Sequence, residues 1–210
     1  EVDRIRDGKS FTTRRVNAIQ NGEAIFSCSI SFQKREKGLE HQIKMPKIQG
    51  PEKLKSDLQL RKDMKSKIPK DYLPMWLRER EIETRQVEPV DLLKAEKLPP
   101  YRSTWMKPTG KLPSDERIHQ ALLLYVSDMG LLGAAVNPHE VNFMSKKFQS
   151  ASLDHVMWFP GKFNFNNWIL HHMHSPISQN ARGFSRGSIY TKAGKLVAST
   201  AQEGLMRIWD

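Results

Sequence analysis

Apolar residues occupy nearly every helical face between Ala121 and Val136, in a run opened by Pro113, Ser114, Asp115 and Glu116. A hydroxyl that can cap the first free N–H, followed by two carboxylates at the positive end of the helix dipole, is a helix start. The pattern predicts one helix over 115–136, buried on most faces and, at about 16 apolar-rich residues, too short to span a bilayer. Elsewhere the period changes to two. Over 148–159, Ser150, Ser152, Asp154, Val156 and Trp158 fall on one strand face, and Ala151, Leu153, His155, Met157 and Phe159 on the other.

Residues 1–33 read as strand, turn, strand, turn, strand, with Asp7-Gly8 and Asn21-Gly22 as hairpin dipeptides. Gly50-Pro51 then breaks a charged stretch in which Leu54, Leu58, Leu60, Met64 and Ile68 predict a surface helix ended by Pro69 and Pro74. Strands follow over 81–87 and 101–106, separated by a loop from Pro89 to Pro100, and another over 163–174. Ala193-Gly194 closes the last hairpin, after which Leu196, Ala198, Thr200 and Gln202 share one strand face.

The chain also repeats itself. Setting Phe11 on Phe184 and Gly22 on Gly194, with one residue of slack at the turn, aligns 10–32 with 183–204. Gln202 then meets Ile30, so the first copy lacks the polar residue of the second. The second copy is preceded by the long helix. An equivalent helix for the first would lie before Glu1, and the first domain is expected to be incomplete. The expected division is 1–33 as the C-terminal part of a first domain, 34–78 as a charged linker with a helix, and 79–210 as a second domain.

Composition narrows the function classes. The net charge of +11 invites a nucleic-acid reading, and residues 34–70 carry 12 Lys and Arg against 5 Asp and Glu. A single-stranded nucleic-acid reader interleaves stacking aromatics with its cations, whereas only Phe32, Tyr72 and Trp76 lie nearby. A solvated segment, with no nucleic-acid partner, is the expectation. Cys28 stands alone and is read as a packing residue. His171, His172 and His174 lack an acidic or cysteine ligand at a helpful spacing, so no metal is expected. Gly183-Phe184-Ser185-Arg186-Gly187 has the G-x-S-x-G spacing, but it falls inside a strand pattern with no helix after it, so a serine hydrolase of the nucleophile-elbow type is not supported.

Asp128 is a lone carboxylate in the apolar helix run and needs polar partners if buried. Ser152, on a strand, and Gln202, on the closing strand, are the candidates. Together they describe either a structural hydrogen-bond network or a polar pocket able to hold a water. Arg182 and Arg186, near the start of the next strand, are candidates for binding phosphate groups, with exposed strand cations the alternative.

Four long words fix the comparison: HQALLLYVSDMGLLGAAV at 119–136, SLDHVMWF at 152–159, ARGFSRGSIYT at 181–191 and ASTAQEGLMR at 198–207. They resemble, in order and spacing, the acyl-coenzyme A thioesterase II family, the double hot-dog thioesterases of bacteria and peroxisomes. RDGKSFTTRRVNAIQNGEAIF at 6–26 is similar to part of that family's first domain.

The resemblance implies an α+β double hot-dog fold, with antiparallel sheets each wrapped around a central helix and the first hot-dog incomplete. It implies hydrolysis of fatty acyl-CoA to fatty acid and CoA, without a cofactor. Asp128, Ser152 and Gln202 would then hold and polarise a water that attacks the thioester, with no covalent acyl-enzyme. The expected partner is the acyl-CoA substrate, self-association into a homo-oligomer being compatible with the fold. The setting implied is a peroxisome, or the cytoplasm if bacterial, although Ile208, Trp209 and Asp210 do not spell a Ser-Lys-Leu address. The rival readings are a non-catalytic acyl-CoA-binding module and a dehydratase-type hot-dog, the latter requiring an Asp and a His placed together.

Overall fold

Two-residue turns set the first strands. Asn21 and Gly22 both take positive φ, 51° and 85°, the twist that a tight hairpin requires. They join β2 (Phe11–Gln20) to β3 (Glu23–Gln33), and β1 (Val2–Asp7) pairs with the other edge of β2. The computed structural model describes every residue except 92, 142, 144 and 210. It divides into two units, Glu1–Gln42 and Ile43–Asp210. In the first unit the register places Val16 against Cys28, Ala18 against Phe26 and Val2 against Val16, which builds one apolar face. Phe26, Ile30 and Phe32 on that face are exposed.

The second unit is built on a seven-stranded sheet. Its strands are β4 (Ile82–Gln86), β5 (Tyr101–Pro108), β6 (Phe148–Ser152), β7 (Val156–Trp158), β8 (Ile169–Gln179), β9 (Arg182–Thr191) and β10 (Leu196–Ile208). They lie in the order β4-β5-β8-β9-β10-β6, with β7 also on β10, and every pairing is antiparallel. The alternating stretch over 148–159 is therefore two short strands on one partner. Between them, Leu153 N and Asp154 N both donate to Glu203 O, and Glu203 N donates to Asp154 Oδ1 at 2.8 Å, which fixes the break.

Before the sheet come the short helices α1 (Asp57–Asp63) and α2 (Leu73–Trp76). Ser56 and Gln59 form a reciprocal capping box at the start of α1. The sheet is covered on both faces. On one, Trp105, Leu170 and Tyr190 are buried beneath Met45, Ile48 and Leu54, and Trp105 Nε1 donates to Gln49 O at 2.9 Å. On the other lies α3 (Glu116–Ser127), whose Leu123 and Val126 pack with Ile82, Met106, Phe165, Ile169, Ile189, Val197 and Ala198.

The long helix expected over 115–136 is interrupted. Asp115, not Ser114, caps α3, accepting from Arg117 N at 3.0 Å. The Arg117 guanidinium and that backbone N–H hold the Asp115 carboxyl down at about 2. After Ser127 the chain turns through Gly130, at φ 83°, a conformation that an uninterrupted helix cannot include. It resumes as α4 (Gly133–Val136). Burial is also one-sided: His119, Leu123, Val126 and Ser127 face inward, whereas Leu124 and Tyr125 are exposed. Gly183 and Gly204 sit opposite each other in β9 and β10 and leave a hollow that Leu132 and Ala135 enter. This seat holds the turn between the two helices against the sheet.

Candidate active site

Three elements converge at that turn. Asp128 is the C-cap of α3, Ser152 ends β6, and Gln202 lies on the inward face of β10, paired in register with Ser185 of β9. Ser152 Oγ donates to Asp128 Oδ1 at 2.8 Å, and Gln202 Nε2 donates to Ser152 Oγ at 2.9 Å. All three sequence candidates are joined in one chain of contacts, with the serine hydroxyl in the middle. Asp128 is not the buried carboxylate that its apolar surroundings suggested: it and Ser152 are exposed, while Gln202 is only 1% exposed. The helix turns away just where Asp128 stands, so the carboxylate keeps its contact with water.

The network continues beyond the three residues. His155 Nδ1 lies 2.6 Å from Gln202 Oε1, and its Nε2 lies 2.8 Å from Ser127 Oγ. Ser127 Oγ is also 2.8 Å from Leu124 O, one turn back in α3. Neither His155 nor Ser127 was among the residues singled out from sequence. Strict alternation puts His155 on the face opposite Ser152, and it is the break between β6 and β7 that brings its ring to Gln202. The available signal was the polar pair Ser127-Asp128 within an otherwise apolar run.

Deeper in the same core, His171 is fully buried, with Nε2 3.3 Å from Thr200 Oγ1. Burial, and then the nearby His155 and His172, push its imidazole down to about 3. His172 Nδ1 is 3.0 Å from Ser103 Oγ, and burial lowers its pKa too, with His174 adding to the effect. Among the described residues no group of three or more His, Cys, Asp or Glu is placed to hold a metal ion.

Arg182 and Arg186 are not brought to the cluster. The register sets Ser185 beside Gln202 and Arg186 beside Ala201, so both arginines project from the opposite face of β9. Arg182 Nη1 pairs with Glu203 Oε2 at 3.1 Å, and the Arg186 guanidinium stacks over the Phe184 ring at 5.2 Å.

A family model described as acyl-CoA thioesterase matches residues 76–205. The chain is 35% identical over 207 residues to acyl-CoA thioesterase 2 of Haemophilus influenzae, covering 99% of this chain and 72% of that protein. It is 36% identical over 219 residues to acyl-coenzyme A thioesterase 8 of Mus musculus, covering 99% and 67% respectively. A more distant relative, 25% identical over 257 residues, is the peroxisomal acyl-coenzyme A thioester hydrolase 1 of Saccharomyces cerevisiae, with 97% of this chain and 72% of that protein covered.

Among solved structures, an acyl-CoA thioesterase II from Mycobacterium marinum superposes with a TM-score of 0.77 at 35% identity, over 100% of this chain and 73% of that one. A hot-dog protein of Alicyclobacillus acidocaldarius, 15% identical, shares the fold with a TM-score of 0.68 over 100% and 72%.

Proposed function

The chain belongs to the acyl-CoA thioesterase family, and on that premise we propose that Asp128, Ser152 and Gln202 activate the water that hydrolyses a fatty acyl-CoA to the free acid and CoA. The fold is the hot-dog, an antiparallel sheet against a central helix. The observation that carries the proposal is the unbroken contact from Gln202 through Ser152 to Asp128. An ionised carboxylate only accepts, so its Oδ1 accepts a hydrogen bond from the Ser152 hydroxyl and its Oδ2 is left for a water. Gln202 Nε2 carries two hydrogens and spends one on Ser152, leaving the second for the same water.

The water oxygen forms a bond to the thioester carbonyl carbon while its proton passes to Asp128. Collapse of the tetrahedral intermediate breaks the C–S bond, and the departing thiolate takes the proton up as CoA thiol. A positioned proton-transfer group contributes about 10²–10⁴-fold to such a step. Arg182 and Arg186, on the outer face of β9, lie away from the reacting groups, and the role proposed for them is the binding of phosphate groups.

The second reading, a dehydratase, requires a His bonded to the acid. Hydrolysis is favoured over it because Asp128 is met by Ser152, whereas His155 engages Gln202 and Ser127. The domain division we propose has residues 79–210 as the second hot-dog carrying the reacting groups, 34–78 as the connection, and 1–33 as belonging to a first hot-dog. In support of this, β1-β2-β3 adjoin in the same order as β8-β9-β10. A peroxisomal setting rests on the name of the yeast relative. No helix among the described residues is long and apolar enough to cross a membrane.

Direct attack by water leaves no acyl-enzyme. Rapid mixing with fatty acyl-CoA is therefore expected to release thiol linearly from the first turnover; a stoichiometric burst, or an acyl group trapped on the protein, would contradict it.

A further inference from the structure

We infer that His155 is a positioning residue that locks the side-chain amide of Gln202 with its N–H₂ toward the reacting water. This inference rests on the proposed roles of Asp128, Ser152 and Gln202. The direction of each hydrogen bond from Asp128 as far as His155 Nδ1 follows from one fixed end. The Asp128 carboxylate can only accept, so the Ser152 hydroxyl must donate to it. The Ser152 oxygen is then an acceptor, and the group facing it at 2.9 Å must be the Gln202 Nε2 amide donor. That orientation turns Gln202 Oε1, an acceptor, toward His155 Nδ1 at 2.6 Å, so Nδ1 carries the proton. His155 Nε2 lies 2.8 Å from Ser127 Oγ, whose hydroxyl also reaches Leu124 O at 2.8 Å, and these contacts hold the far side of the ring in place.

Without His155 the amide of Gln202 has no reason to keep this orientation. A flip of the side chain would aim Oε1 at Ser152, whose oxygen could then no longer receive a hydrogen from it. Because Gln202 is almost fully buried, no bulk water would supply the missing donor to Oε1. The asymmetry of the amide is thus set by an imidazole that has no contact with the carboxylate itself.

The test exploits shape. Asn places its Nδ2 donor where His carries Nδ1, whereas Asp places an acceptor there with the same outline. In the full-length protein, thiol release by His155→Ala is expected to show kcat reduced about tenfold to a hundredfold with KM within about twofold of wild type. His155→Asn is expected to recover most of that loss, and His155→Asp none of it. In a Gln202→Ala background, adding His155→Ala should cost less than about threefold, since the group it orients is already gone.

Equal activity of the Asn and Asp variants, or an undiminished cost of His155→Ala in the Gln202→Ala background, would overturn the inference. If His155→Ala does not fold, the isosteric Asn and Asp variants decide the matter. Asp128→Ala, run alongside, separates the two levels: wild-type kcat in that variant removes the catalytic reading itself. A large loss there, with Asn no better than Asp, removes only the role of His155.

Discussion

Asp128 sits at a costly place. At the C-terminus of α3 the helix dipole opposes a carboxylate, by about 0.3–1 kcal/mol in exposed positions, and helix stability alone would favour Lys or Asn there. Ser152 Oγ offsets this by offering Oδ1 a hydrogen bond at 2.8 Å, and the proposed reaction uses the other oxygen for water. Substitution at a neighbouring glycine tests how tightly this is held. A Cβ on Gly204 would approach Leu132 Cδ1 to 2.6 Å and Ala151 O to 3.2 Å. Gly204→Ala is expected to destabilise the protein by about 1–3 kcal/mol, read from the urea midpoint, and to lower kcat by shifting the turn that carries Asp128. At this scale Asp128 and Gln202 were legible as polar residues inside apolar patterns, whereas Ser152, on a face shared with Ser150 and Asp154, was marked by the resemblance of its SLDH word. His155 was not, because a period of two places it on the wrong face and a strand break is invisible to that rule.

Among the elements, the hairpins were the most legible, since Asn21-Gly22 and Ala193-Gly194 name their own turns; Gly22 and Gly194 both adopt positive φ. The helix was not. Apolar residues from Ala121 to Val136 satisfy a continuous helical pattern, yet Gly130 turns the chain and the second piece seats on Gly183 and Gly204. Those two glycines lie over 50 residues and 70 residues downstream of Gly130, respectively, and only their cross-strand register brings them together. The exposed side of α3, with Leu124 and Tyr125, has the same origin: periodicity counts apolar residues but does not say which face the sheet will meet. Likewise Leu54, read as one position of a surface helix, lies before α1 and packs beside Trp105 on the sheet.

For the molecule as a whole, the net charge of +11 described the surface, whereas stability depends on what the sheet buries on its two faces. One buried titratable group links that core to pH. Folding holds His171 neutral, with its pKa pushed from 6.5 down to about 3. Below about pH 6.5 the unfolded chain takes up a proton there that the folded chain refuses until near 3, so this residue costs stability progressively across that window. His171→Leu is expected to flatten the fall of the urea midpoint between about pH 7 and pH 5, with His172 sustaining part of it; an unchanged slope would contradict this. The catalytic reading is tested most directly by kcat for thiol release from acyl-CoA by the folded Asp128→Ala variant. A loss of about a hundredfold or more, matched by Ser152→Ala and Gln202→Ala, is the expected result, and wild-type turnover in a properly folded Asp128→Ala protein would contradict it.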